Sequence, residues 1–300
     1  MKIITLDEIT FDKYTKTHKY RNYYQTSAYG KVMKNNNCNI HYIGIIDDNN
    51  NLLGASLILY KEVFMNYKIA YAPRGILFDY TNLENLTEFT TRLKRLLSKQ
   101  GFMSLKIDPL IPANLRNKDG KIININKEAN IILENLKANN YDYLGPNLFF
   151  EAEKPRFETL VVLDKDIKDI YQNFDKNIRY KIKKAIRSGV EIYKGNKEQL
   201  KEFYEFVKKK YNRSLNYYID LFDNFSPNVD LYFAKLNTET FVITSRVQYE
   251  KELEINNNLA IEIQNNKNSK LKKKIINKKI ESDNLVNVYK KNLVWATNLL

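Results

Sequence analysis

After Pro227 the sequence contains no glycine and no proline. More than seventy residues therefore run without either of the residues that punctuate helices and turns, and they are rich in Lys, Glu, Asn, Ile and Leu. Such a stretch predicts long helices. NNKNSK (265–270) is the one polar cluster suited to a reversal, so helices are expected at about 240–264 and 270–299. The segment reads as a two-helix arm or a long coiled coil. The sequence ends in VWATNLL, inside this helical pattern, and the expectation is that the domain interrupted by the arm is unfinished.

Upstream, apolar patterning is mixed. HYIGIIDD (41–48), LLGASLILYKEV (52–63), NYKIAYAP (66–73) and FMSLKIDPLI (102–111) read as strands. Leu86, Phe89, Leu93 and Leu97 recur at helical spacing over 84–99, and Ala129, Ile132, Leu133 and Leu136 do so over 127–138. The order β-β-β-α-β-α predicts an α/β (α+β) domain over 1–154. NLFFEAEKPR (147–156) is read as further strand material. A second domain is expected to begin at 155. FETLVVLDKD (157–166) is read as a strand, IKDIYQNF as a short helix, and Ile178, Ile182, Ala185 and Ile186 as the apolar stripe of another helix. VEIYKG is strand-like, KEQLKEFYEFVKKKYNR helical, and DLYFAKLN (230–237) a strand. The division is thus 1–154, 155–238 as the first part of a second domain, and 239–300 as the arm.

Chemistry is constrained mainly by what is missing. The nine glycines include no GxG spacing, which argues against dinucleotide and Walker loops and against the Gly-rich pyrophosphate turn of an acetyl-CoA acetyltransferase. Cys38 is the only cysteine, and His18 and His41 are the only histidines. No disulfide, no cysteine metal cluster, no metal and no cofactor is therefore expected. No uncharged apolar run approaches the ~20 residues of a membrane span, and MKIITLDEITFDKYTK lacks a signal-length apolar core. A soluble cytoplasmic protein is expected, with peripheral contact at the inner membrane face left open.

Lys and Arg number 49 against 35 Asp and Glu, a formal charge of +14 that favours polyanionic partners. In KNIRYKIKKAIR (176–187), Lys176, Arg179, Lys181, Lys183, Lys184 and Arg187 stand without one acid. A second block, Lys267, Lys270, Lys272, Lys273, Lys274, Lys278 and Lys279, surrounds the expected hairpin tip. Both suit a phosphate backbone. The plainer reading of each is a solvated helix face, although acids normally intersperse on such faces. YAPRGILFDY (71–80) sets Arg74 between two backbone breakers, Pro73 and Gly75, which reads either as a shaped turn or as a cation facing an anion.

Several stretches together resemble one family. QTSAYGKVMK (25–34) is similar to the "Q-S-x-x-W-G-x-V-K" opening of Fem-type (FemABX) aminoacyltransferases, and YAPRGILFDY to their "Y-I-P-R-G-P-x-x-D-Y" segment. LKIDP (105–109) resembles their "x-R-x-D-P" strand end, FETLVVLDKD with NIRYKIKKAIRSGVEI their "T-x-x-x-D-L … K-x-R-x-x-I" run, and NRSLNYY (212–218) their "R-x-x-x-Y-Y" element. LYFAKL before the arm resembles their "LFLAKL". Tyr29 stands where Trp is usual, and Ile76 where Pro is.

The resemblance implies two GNAT-like (acetyltransferase-like) domains, the second incomplete here, with an inserted coiled-coil arm. It implies aminoacyl transfer from aminoacyl-tRNA to a stem-peptide amine of lipid II or UDP-MurNAc-pentapeptide, building the interpeptide bridge of the cell wall, without metal or nucleotide cofactor. It also implies site residues. Lys34, or Lys31 in a slipped register, Arg213 and Tyr217 match phosphate- and substrate-contact positions. Asp108 matches an acceptor-site aspartate able to orient the attacking amine or take its proton. Arg74 is placed beside the acceptor cleft, and Lys176, Arg179, Lys181, Lys183, Lys184, Lys272, Lys273 and Lys274 are candidates for tRNA phosphates. A different class remains in view: a non-catalytic tRNA-binding or scaffold protein using the basic helix and arm. The identity of the amino acid transferred, the choice of acceptor and the oligomeric state are not encoded legibly.

Overall fold

Five strands of alternating or continuous apolar character form one mixed sheet: β1 (Lys2–Thr5), β2 (Asn39–Ile46), β3 (Leu52–Glu62), β4 (Lys68–Ala72) and β5 (Phe102–Ile107), in that spatial order. All neighbours are antiparallel except β4 and β5, which run parallel and so need a crossover. The crossover contains helix α3 (Leu83–Lys99), whose side chains Leu86, Phe89, Leu93 and Leu97 are buried. Asn82 caps it by accepting from the Asn85 N–H. These data come from a computed structural model that describes residues 1–145, 155, 157–266 and 268–299.

Side-chain alternation along β3 gives the sheet two dry faces. Ile58 and partly buried Tyr60 join Ile43, Ile45, Phe78, Phe89 and Leu93 on one face. Leu57 and Leu59 join Phe11, Tyr29 and Tyr42 on the other. The second face is covered by α1 (Glu8–Thr17) and α2 (Ser27–Asn35), capped by Asp7 and Thr26. Gly30 lets α2 approach the sheet, because a Cβ there would stand 2.1 Å from the Tyr42 hydroxyl. A short hairpin, β6 (Asn114–Arg116) and β7 (Ile122–Ile125), precedes α4 (Lys127–Ala138).

The chain divides into two compact units: Met1–Arg156 with Asn196–Val229, and Phe157–Gly195 with Asp230–Leu300. The second unit contains α5 (Ile167–Asn173), α6 (Lys176–Arg187) and β8 (Val190–Gly195). The chain returns to the first unit for α7 (Leu200–Val207) and α8 (Leu215–Phe225), then to the second for β9 (Leu231–Leu236), α9 (Thr238–Asn265) and α10 (Ser269–Thr297). β8 and β9 pair antiparallel. The two long helices pack on each other. Asn256 Nδ2 donates to Ser282 Oγ (3.3 Å) and Asp283 Oδ1 (2.8 Å), and Phe241 meets Trp295 edge-on at 5.4 Å. Both lie within two or three residues of the expected spans.

Four expectations need correction or limits. FETLVVLDKD is not a strand: 157–163 joins no sheet, and Asp166 caps α5. Strand propensity needs a ladder partner, and among the described residues none lies alongside; Leu160 and Leu163 stay 83% and 76% exposed. The stripe on α6 is not a buried face, since no residue of that helix is buried and Ile186 is 67% exposed. The helix expected across KEQLKEFYEFVKKKYNR ends at Val207. The strand material read at 147–156 lies outside the described residues apart from Pro155. No helix among the described residues is long and apolar enough to cross a membrane.

Gly189 ends α6 at φ +81°, and a Cβ there would lie 2.8 Å from Thr240 Cβ and 3.0 Å from the Asn237 carbonyl. Gly189→Ala should therefore destabilise the protein by more than about 1 kcal/mol, measured by urea unfolding. An unchanged midpoint would show that this junction carries no strain.

Candidate functional site

The ladder between β3 and β4 covers only Leu59–Glu62, and the next pairing on that edge is the bridge between Ala55 and Leu77. Leu57 lies in the gap, with a backbone N–H and C=O that need partners. Gln25, wholly buried, supplies both. Its Oε1 accepts from Leu57 N–H at 2.8 Å, and its Nε2 donates to Leu57 O at 3.3 Å and to Pro73 O at 2.8 Å. The carboxamide substitutes for a missing strand residue and ties the Pro73–Gly75 turn to the sheet. Gly75 is required at that approach, because a Cβ would lie 2.7 Å from Gln25 Nε2.

Three more side chains hold the rest of the turn, and Tyr71 supports one of them. Asp108, just past β5, accepts from the Arg74 N–H at 2.5 Å through Oδ1 and from the Tyr71 hydroxyl at 2.9 Å through Oδ2. Asn22 Nδ2 donates to Arg74 O at 3.2 Å. The Ile76 N–H donates to the Tyr80 hydroxyl at 3.1 Å, which in turn donates to Ile76 O at 2.8 Å. Arg74 itself sits at φ 51°, an uncommon region for a non-glycine residue. So many partners over-determine the loop that the conformation persists. Burial pushes the Tyr80 hydroxyl far above its ordinary pKa, keeping it a neutral donor.

A second group forms where α8 packs on α2. Asp220 accepts from Asn35 Nδ2 (3.1 Å) and Asn36 Nδ2 (2.9 Å), and Phe225 meets Tyr23 edge-on. Arg213 precedes α8 with its Cζ 4.9 Å from the centre of the Tyr217 ring, and Ser214 caps the helix. Tyr23, Tyr24 and Tyr29 cluster with ring centres 3.9–5.9 Å apart. Burial raises the pKa of Tyr29; the Tyr217 and Tyr24 phenols add to that rise and Arg213 opposes it. Burial also raises Tyr217, again opposed by Arg213. These hydroxyls stay protonated near neutral pH and can donate hydrogen bonds to an anion.

The sequence-based candidates distribute unevenly. Asp108 and Arg74 meet in the anchored turn. Arg213 and Tyr217 meet beside α2, which carries Lys31 and Lys34. Lys31 is ion-paired to Glu8 at 2.7 Å, whereas exposed Lys34, in the last turn, has no ion pair among the described residues. Lys176, Arg179, Lys181, Lys183 and Lys184 line α6, and Lys272, Lys273 and Lys274 open α10, all in the other unit. Arg179 spends one N–H on Gln172 O at 2.7 Å. Lys267 lies outside the described residues. Gln25, Asn22 and the tyrosines 23, 24 and 29 were not anticipated. Gln25 had a signal, as the first residue of QTSAYG, but its role depends on a gap in a ladder more than thirty residues away.

Fold and site together define a mixed α/β protein with an anchored Pro-Arg-Gly turn beside an arginine–tyrosine cluster. The chain belongs to the FemAB family, whose model matches residues 6–294. It is 26% identical over 260 residues to the aminoacyltransferases FemA of Staphylococcus aureus strains bovine RF122 / ET3-1 and N315, covering 81% of this chain and 62% of each relative. The chain thus spans about three fifths of the length of those curated relatives. A crystal structure of FemX has a similar fold, with a TM-score of 0.63 at 18% identity, over 100% of this chain and 71% of that one.

Gln25→Leu should destabilise the protein by about 3 kcal/mol or more, because it strands the Leu57 N–H and the Leu57 and Pro73 carbonyls in the interior. Chemical denaturation tests this; a loss below about 1 kcal/mol would mean that the gap in the ladder closes by other means.

Proposed function

We propose that the chain acts in aminoacyl transfer from aminoacyl-tRNA to a stem-peptide amine of a peptidoglycan precursor, lipid II or UDP-MurNAc-pentapeptide. The observation that carries this reading is the family match over 6–294 combined with Arg213 and Tyr217 packed beside the helix that bears Lys34. In this reading Arg213 and Lys34 hold the precursor phosphates, with Lys31 in a supporting position. The Arg74 turn borders the acceptor. The amine attacks the tRNA ester carbonyl, a C–N bond forms, the ester C–O bond breaks, and the amine proton passes to the departing ribose oxygen, which leaves as a hydroxyl. The ester is already activated, so alignment supplies most of the required acceleration. Asp108 uses one lone pair on each oxygen for Tyr71 and Arg74, and the remaining lone pairs are available to orient the amine.

The finer architecture belongs to the same reading. We take 1–154 as one acetyltransferase-like domain, 155–238 as the first part of a second, and 239–300 as a coiled-coil arm. The acid-free helix α6 and the lysines of α10 receive tRNA phosphates. The place of action is the cytoplasm, next to the inner membrane face where lipid-linked precursors are exposed.

Binding of UDP-MurNAc-pentapeptide, followed by calorimetry on the full chain, should weaken at least tenfold in Arg213→Ala and severalfold in Lys34→Ala, with melting temperatures unchanged. Wild-type affinity in both variants would remove the phosphate assignment. Transfer from radiolabelled Gly-, Ala- or Ser-tRNA tests the chemistry. tRNA binding without precursor binding or transfer would instead establish the scaffold reading, which the six basic residues of α6, with no acid among them, favour. Asp108→Asn retains an acceptor for Arg74 N–H, so it should lower any transfer rate far more than it lowers stability. Equal losses would reduce Asp108 to a structural anchor.

A further inference from the structure

β1 is the edge of the five-stranded sheet. Leu6 N–H donates to Tyr42 O, and the register pairs Lys2 with Ile46 and Ile4 with Gly44. Antiparallel alternation therefore turns the N–H and C=O of Lys2 and Ile4 toward β2 and those of Ile3 and Thr5 toward the open side. Unpaired groups of this kind are a template for another strand.

The open edge is not bare solvent. A groove of about 1240 Å³ runs between it and α3, lined by Lys2, Ile3 and Ile4 on one side and by an exposed face of the helix on the other. α3 spans 17 residues, roughly 25 Å at 1.5 Å per residue, against a β1 of 4 residues, roughly 13 Å. The helix thus overhangs the length of an added strand of about seven residues. Its charge is one-sided. The lining holds Lys2, Arg92, Arg95 and Lys99 against Glu84 and Glu88. Glu88 is already engaged by Arg92 at 2.7 Å and by the N-terminal ammonium at 3.0 Å. Lys2, Arg95 and Lys99 have no ion pair among the described residues.

We propose that this groove is a docking site for an extended, acidic segment of a partner protein, which adds to β1 as a sixth strand. Backbone hydrogen bonds to Ile3 and Thr5 give the ladder, and carboxylates spaced two residues apart face Arg95 and Lys99. Ile4, 37% exposed, offers an apolar contact for the side chains between them. A nucleic acid would satisfy the cations but not the free strand edge, so a peptide fits more of the groove. The site lies outside the turn and the arginine–tyrosine cluster and does not depend on the transfer reading.

The test uses the full chain and a fluorescein-labelled decapeptide in which Glu alternates with Val or Thr. The peptide should bind and slow amide hydrogen exchange at Ile3 and Thr5. N-methylation of alternate peptide amides should weaken it at least tenfold, and so should R95E/K99E, whose melting temperature should equal wild type because both side chains are exposed. Three results would overturn the proposal: no binding, binding indifferent to both changes, or displacement of the peptide by an equimolar mixed-sequence oligonucleotide. Dimerisation of the free chain that protects Ile3 and Thr5 would also overturn it, by assigning the edge to a second copy.

Discussion

The carboxamide of Gln25 is the interaction on which the candidate site rests. It fills the gap that opens in the sheet when β4 turns away from β3 at Pro73. One buried side chain satisfies both backbone groups of Leu57 and one carbonyl of the turn. Unmade hydrogen bonds in an interior cost more than made ones contribute, so this position tolerates little beyond a planar group with a donor and an acceptor in fixed geometry. The next residue, Thr26, caps α2. The same peptide therefore sets both the Arg74 turn and the start of the helix that carries Lys31 and Lys34.

From that anchor the site assembles from distant pieces. Asp108 reaches the turn from the end of β5, and Tyr80 closes it from behind. Asp220 spans the two amides at the end of α2 across 184 and 185 residues of sequence, bringing Arg213 and Tyr217 to the tyrosines around Tyr29. Tyr29 contributes both an aromatic wall and a hydroxyl to this cluster. The cluster carries one guanidinium and several protonated phenols, a donor-rich surface suited to an anion.

The second unit is built differently. Among the described residues its strands are β8 and β9 alone and its α6 buries no residue, so packing between α9 and α10 provides much of its interior. That seam includes a polar layer, with Asn256, Ser282, Glu252 and Asp283 joined by hydrogen bonds, which fixes the register of the pair more tightly than apolar contacts alone. None of the basic residues of α6 is buried, and on α10 Lys279 pairs with Asp283.

Local patterning was enough to read the elements with strong periods. Strands 41–48 and 52–63, helices 84–99 and 127–138, and the long helices after Asn237 follow from side-chain spacing and from the missing glycines and prolines. Arg213 and Tyr217 came from the resemblance of NRSLNYY to a family element, not from local patterning. The 157–166 segment was misread because strand propensity is not a ladder: apolar residues form a strand only where another backbone runs alongside. Gln25 and Asp108 show the complementary limit. Their residue types are visible in the sequence, but what each holds depends on a ladder that stops at Leu59 and a turn that rises over it. The sequence by itself determined which segments are helical or extended and where positive charge accumulates, because those properties are local. Tertiary structure alone decided which polar groups meet, because that depends on sheet register and helix docking between residues far apart in the chain.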